Sequence, residues 1–137
     1  MTAKEYLSQA LWTEKRIHEL CAEIQRLRGL ARSVSGCAGE RSGASGPGDR
    51  VGRAAAEIVY LEEMLGEEIK LYSGLYREIK DVIDSVGDPR YRELLRRRYL
   101  MGLTFSAIAD EMHYSTQNIW WLHKKALDDV AGRLPPR

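Results

Sequence analysis

Apolar or small residues recur at Ala3, Tyr6, Ala10, Thr13, Ile17, Leu20, Ile24, Leu27, Ala31 and Val34, in steps that alternate between three and four. That is the seam of a coiled-coil-like helix, with Glu14, Lys15, Glu19, Glu23, Gln25, Arg26 and Arg28 on its polar faces. "TAKE" supplies its start, with Thr2 as N-cap and Glu5 three residues on. A second seam runs through Val51, Ala54, Ile58, Leu61, Leu65, Glu68, Tyr72, Leu75, Ile79, Val82 and Val86. Glu68 is its one charged member, and Ile69 beside it is expected to substitute in part. Two runs of matching length, each roughly 50 Å if fully helical, predict an antiparallel hairpin. Such a hairpin has a thin core, so further burial is expected, with Tyr60, Met64, Leu71 and Tyr76 off the seam as a second face.

Between the runs lies "SGCAGERSGASGPGDR", residues 35–50, which has almost nothing to bury and reads as a flexible Gly/Ser loop. "SVGDPRYRELL" then marks a boundary: Gly87 ends a helix, Asp88 caps the next and Pro89 fits its first turn. The pattern predicts helix three over 89–101, with Tyr91, Leu94, Leu95 and Tyr99 inward and Arg90, Arg96 and Arg97 outward. Helix four follows from its cap Thr104 to Met112, and helix five from its cap Ser115 to Ala131. Proline occurs only at 47, 89, 135 and 136, and no alternating apolar/polar run is present. The expected fold is all-α. Residues 1–87 form a helical hairpin that serves oligomerisation, and residues 88–137 form a three-helix unit.

The last two helices have helix-turn-helix spacing. Ile108, Ala109 and Met112 face inward on the first; Ile119, Leu122 and Ala126 do so on the second. His113 stands at the turn, where a residue tolerant of positive φ is required, and Tyr114 packs that turn. Charge adds little. The chain carries 21 Lys/Arg against 20 Asp/Glu, and from Asp88 onward nine against six, a net +3. A mildly basic end is permissive for DNA.

At these residues a resemblance applies. "YRELLRRRYLMGLTFSAIADEMHYSTQNIWWLHKKAL" resembles the fourth region of bacterial sigma factors. With "TAKEYL", "RLRGLARSVSG" and "AAAEIVYLEEML" it is also similar to short phage proteins of Gram-positive bacteria, the RinA and ArpU groups of late-gene regulators. The resemblance implies a regulator that binds double-stranded DNA, acts on phage or prophage promoters and works with host RNA polymerase. It implies contacts from Ser115, Thr116, Gln117, Asn118, Trp120, Trp121 and Lys124 at the recognition helix. Lys125 and the "RRR" arginines, Arg96 and Arg97 among them, add phosphate neutralisation. Gln117 and Asn118 carry amides that suit adenine edges. Sigma-like helices usually have Arg and Gln where this chain has Trp120 and Trp121. Indole can touch a thymine methyl but cannot make the bidentate guanine contact of Arg. The first expectation for at least one indole is burial against the hairpin or a second subunit.

Other chemistry is thin. Cys21 reads as a small core residue and Cys37 as an idle thiol, both in a reducing cytoplasm. The start lacks a secretion pattern, and no apolar run would span a bilayer. His18, His113 and His123 have no metal-ligand spacing, and no catalytic set or cofactor loop stands out. No enzyme, metal or cofactor is expected. A homo-oligomer, by default a dimer, is expected in the bacterial host cytoplasm. The rival readings are a small terminase-like DNA-packaging subunit and an interaction module whose helix-turn-helix no longer binds DNA.

Overall fold

The computed structural model describes residues 1–38 and 47–134. Among them there are five α-helices, one π-helical turn and no strand: α1 (Ala3–Ala38), α2 (Pro47–Asp84), α3 (Pro89–Leu95), the π turn (Arg96–Leu100), α4 (Phe105–Met112) and α5 (Thr116–Ala131). The all-α expectation holds. The expected loop over 35–50 does not hold at its two ends: α1 continues to Ala38, and α2 begins at Pro47. Proline at a first helical position loses no hydrogen bond that the helix could have used. The rest of that loop, the Val34 and Cys37 side chains, and the final "PPR" lie outside the described residues.

Packing divides the chain into two compact units. One contains Met1–Thr13 with Tyr72–Arg137, the other Glu14–Leu71. This differs from a boundary at Gly87, and the core of the first unit shows why. Leu7 and Ala10 of α1 and Ile79, Ile83 and Val86 near the end of α2 are buried in one cluster. Ala3, Tyr6, Leu95, Tyr99, Ala126 and Val130 complete it. Leu7 and Ile83, both fully buried, are absent from the seams described above although each lies one turn from a seam position. They widen the apolar stripe from a two-helix seam to a face that covers a third element. Tyr6 donates its hydroxyl to Glu78 Oε1 at 2.7 Å across the same pair of helices. Burial and that carboxylate both raise its pKa.

A second cluster in the first unit consists of Leu94, Ile108, Ala109, Ile119 and Leu122, with Tyr91, Leu103, Phe105, Met112 and Tyr114 against it. The starts of α1 and α3 are capped by side chains. Thr2 Oγ1 accepts from Glu5 N at 3.1 Å, and Asp88 Oδ1 from Arg90 N at 2.9 Å. The Asp88 carboxyl is held below its ordinary pKa by the Arg90 side chain and by that backbone amide.

In the Glu14–Leu71 unit α1 and α2 run antiparallel, as ion pairs from Arg16 to Glu68 at 3.3 Å and from Arg28 to Glu62 at 2.9 Å record. Ile24 and Leu61 are buried there, with Ile17, Leu20, Leu27, Ile58 and Leu65 half-buried. Two expectations fail in this unit. Glu68 keeps its seam position, with 17% of its side chain exposed, and Ile69 is turned to solvent. The ion pair to Arg16 offsets part of the cost of placing a carboxylate there, and Glu68 Oε2 is left buried without a hydrogen bond. Cys21 is exposed rather than in the core, because Ile17, Leu20 and Ile24 already fill the seam that it adjoins. Tyr60 and Leu71 are exposed as well.

Candidate nucleic-acid interface

The site is built from the turn outward. Helix α4 ends at His113, whose φ of 60° and ψ of 41° put it in the left-handed region, as the turn requires. The Tyr114 amide donates to Ala109 O at 2.9 Å and closes the helix end. Ser115 then caps α5: its Oγ accepts from Asn118 N at 3.1 Å. Thr104 does the same for α4 with Ala107 N at 3.1 Å. Neither helix has an acidic residue in its first turn, so both positive dipole ends are left uncompensated.

Helix α5 is held from behind. Ile119 and Leu122 belong to one core cluster, Ala126 and Val130 to the other. Ser115, Thr116, Gln117, Asn118, Trp120, Trp121, Lys124 and Lys125 are all exposed, and helical spacing puts Gln117, Trp121 and Lys124 opposite the buried stripe of α5. The cap uses the Asn118 backbone, and neither the Gln117 nor the Asn118 amide side chain has a partner among the described residues.

The tryptophans bear on the expectation that at least one is buried against the hairpin or a second subunit. Trp120 is 57% exposed and Trp121 53% exposed, so neither is buried against the hairpin helices. They differ in surroundings. The Trp120 ring lies 4.8 Å from that of Phe105, which carries the Arg98 guanidinium at 4.3 Å on its ring. Phe105 also meets His123 edge-on at 4.9 Å. Trp121 has only the Lys125 ammonium, 5.6 Å from its ring centroid, among the described contacts.

Arg96 and Arg97 sit apart from these residues in their bonding. Arg96 pairs with Glu93 at 3.2 Å and with Asp84 at 3.4 Å. Arg97 pairs with Glu93 at 3.2 Å and with Glu111. Both are half-buried. Arg98 donates to Leu103 O at 2.9 Å. All three arginines therefore have partners within the chain, Arg96 at the end of α2 among them.

Phe105 and His123 are the site residues that periodicity did not single out. His123 is 5% exposed, with Nε2 2.7 Å from the Tyr99 hydroxyl. Burial, with Arg98 and Lys4 nearby, pushes its pKa down to about 4. The signal for both was local: Phe105 directly follows a cap residue, and His123 falls on the inner stripe beside Leu122.

No group of three or more His, Cys, Asp or Glu among the described residues is placed to hold a metal ion. No helix among them is long and apolar enough to cross a membrane. No curated protein and no solved structure matches the chain. Residues 88–131, which span α3 to α5, match the family described as Sigma-70, region 4, and so form a sigma-like helix-turn-helix.

Proposed function

We propose that this protein is a sequence-specific DNA-binding transcriptional regulator of phage or prophage genes. In this reading it is a late-gene activator that acts with host RNA polymerase in the bacterial cytoplasm. One observation carries the DNA-binding core of the reading: α5 is anchored through Ile119, Leu122, Ala126 and Val130 while its leading turn stands open with Gln117 and Asn118 unengaged. An exposed amide at the start of such a helix suits base edges in the major groove, and the uncompensated helix end suits a phosphate. The sigma-like match over 88–131 supports work with polymerase, and the resemblance of the sequence to the RinA and ArpU groups motivates the phage setting.

Assembly into a homo-oligomer, a dimer by default, belongs to the same proposal. Leu30, Val59, Tyr60, Ile69 and Leu71 expose apolar side chains on the Glu14–Leu71 unit, which a second copy could cover. Linked subunits would also strengthen weak contacts made by each one.

The test is duplex binding by the full chain across a salt series, with the variant Gln117→Ala/Lys124→Ala beside it. Binding that weakens steeply as salt rises, and weakens further in the variant at unchanged helicity and oligomer mass, supports the reading. The interaction-module alternative predicts no salt-sensitive duplex binding at all. The terminase-like alternative predicts ring-shaped oligomers in solution.

A further inference from the structure

We infer that the adjacent tryptophans have separate roles and that Trp121, with Gln117, reads thymine methyl groups in the major groove. This rests on the DNA-binding reading above and adds to it which chemical feature of the duplex is recognised.

Consecutive residues of a helix diverge by about 100°. With Ile119, Leu122 and Ala126 buried, the direction opposite them on α5 is occupied by Gln117, Trp121 and Lys124, spaced four and three apart. Trp120 points toward the flank where His123 turns inward. Both touch the same Phe105 ring, at 4.8 Å and 4.9 Å, and Arg98 lies on that ring at 4.3 Å. Trp120 is thus part of a stack belonging to the helix-turn-helix itself. Trp121 has no aromatic neighbour among the described residues and presents an indole at the centre of the open face.

The occupant follows from charge and chemistry. From Ser115 through Leu127 there is no Asp or Glu, and Lys124 and Lys125 are exposed. The Lys125 ammonium beside the indole favours a polyanion over an apolar protein surface. Among major-groove features, only the thymine 5-methyl offers an apolar contact that an indole can cover, and glutamine suits the adenine of an A·T pair. Gln117 and Trp121 are one turn apart, roughly 6 Å along the axis. That places them within about two base-pair steps of one another. An A·T-rich subsite is the expected ligand.

The experiment first selects preferred duplexes for the full chain from a random pool. Thymines in the selected site are then replaced singly by deoxyuridine, which removes only the methyl. At one or two positions binding should weaken roughly fourfold, the value of one methyl-sized apolar contact. In Trp121→Ala that thymine-over-uracil ratio should fall to about one, while Trp120→Ala should keep it even where its absolute affinity falls. Equal binding of thymine and uracil sites by the unaltered chain overturns the inference and leaves DNA binding intact. So does loss of the ratio in Trp120→Ala but not in Trp121→Ala. Absence of any salt-sensitive duplex binding overturns the functional reading and the inference together.

Discussion

The Tyr99 hydroxyl and His123 Nε2 lie 2.7 Å apart, both side chains buried, and join the π turn to the recognition helix. A neutral imidazole protonated on Nδ1 accepts the hydroxyl hydrogen at Nε2; burial raises the Tyr99 pKa to about 12, so that hydrogen stays in place. Protonating His123 removes the acceptor and buries a charge. Its folded pKa of about 4 lies below the unfolded value near 6.5. Between those values the unfolded chain binds more protons, so stability falls as pH drops from 6.5 toward 4, by at most about 3 kcal/mol from this group. His123→Gln keeps an acceptor and does not titrate, so it should flatten that slope. Urea midpoints at pH 7.5, 5.5 and 4.5 for both proteins measure it, and parallel slopes would contradict the assignment.

The helix-turn-helix depends on segments far from it in sequence. Leu7 and Ile83 are fully buried in the cluster that also holds Ala126 and Val130 of α5. Leu7→Ala and Ile83→Ala should each destabilise this unit by about 2–5 kcal/mol. Leu71→Ala, at an exposed position, should stay within about 0.5 kcal/mol. A chain starting at Asp88 should show little cooperative unfolding, although it contains the whole sigma-like match. Thermal melts followed by circular dichroism decide this, and a sharp transition in the short chain would refute it.

Much of this arrangement was legible in the residues, because capping and apolar spacing are local. Thr2, Asp88, Thr104 and Ser115 cap the helices that their positions predict, and His113 adopts the left-handed turn. The seam positions from Ala3 to Ala31 are all buried or half-buried. What periodicity missed depends on a third partner. Leu7 and Ile83 are off a two-helix seam and become core only because α5 and the π turn pack there. The π turn is equally invisible locally: Met101 N bonds Arg96 O and Leu103 N bonds Arg97 O, a widened helix end that no residue type announces. The avoidance of exposed indole pointed to burial of at least one tryptophan, yet both are exposed within the chain, and Phe105 supplies a contact to Trp120 that the spacing within α5 did not reveal.

Phosphate neutralisation should fall to the lysines more than to the "RRR" arginines. Arg96 and Arg97 already face Glu93, with Asp84 and Glu111 as second partners, so a phosphate must displace a carboxylate. Lys124 has no carboxylate partner among the described residues. Lys124→Ala should reduce the slope of log affinity against log salt by roughly one. Arg97→Ala should change it less and instead lower stability by about 0.2–1 kcal/mol, the range of a partly exposed ion pair. Fluorescence anisotropy over a salt series tests this, and a larger slope change for Arg97→Ala than for Lys124→Ala would reverse the assignment.

Two backbone positions with positive φ should respond in opposite directions to the same physics. His113 at φ 60° carries a Cβ in the left-handed region, which costs about 1–2 kcal/mol relative to glycine. His113→Gly removes that cost, but the more flexible unfolded chain takes part of it back. A net gain of about 0.5–1 kcal/mol follows, while a β-branched His113→Val should lose at least as much. Gly102 at φ 72° ends the π turn, and a Cβ there would lie 3.4 Å from Leu11 Cδ2. Gly102→Ala therefore adds left-handed strain and a tight contact with α1, and should destabilise by about 1–2 kcal/mol. Melting temperatures of the three variants provide the check. If His113→Gly lowered the melting temperature as much as Gly102→Ala, the imidazole would have to make a contact at the turn that outweighs the backbone term.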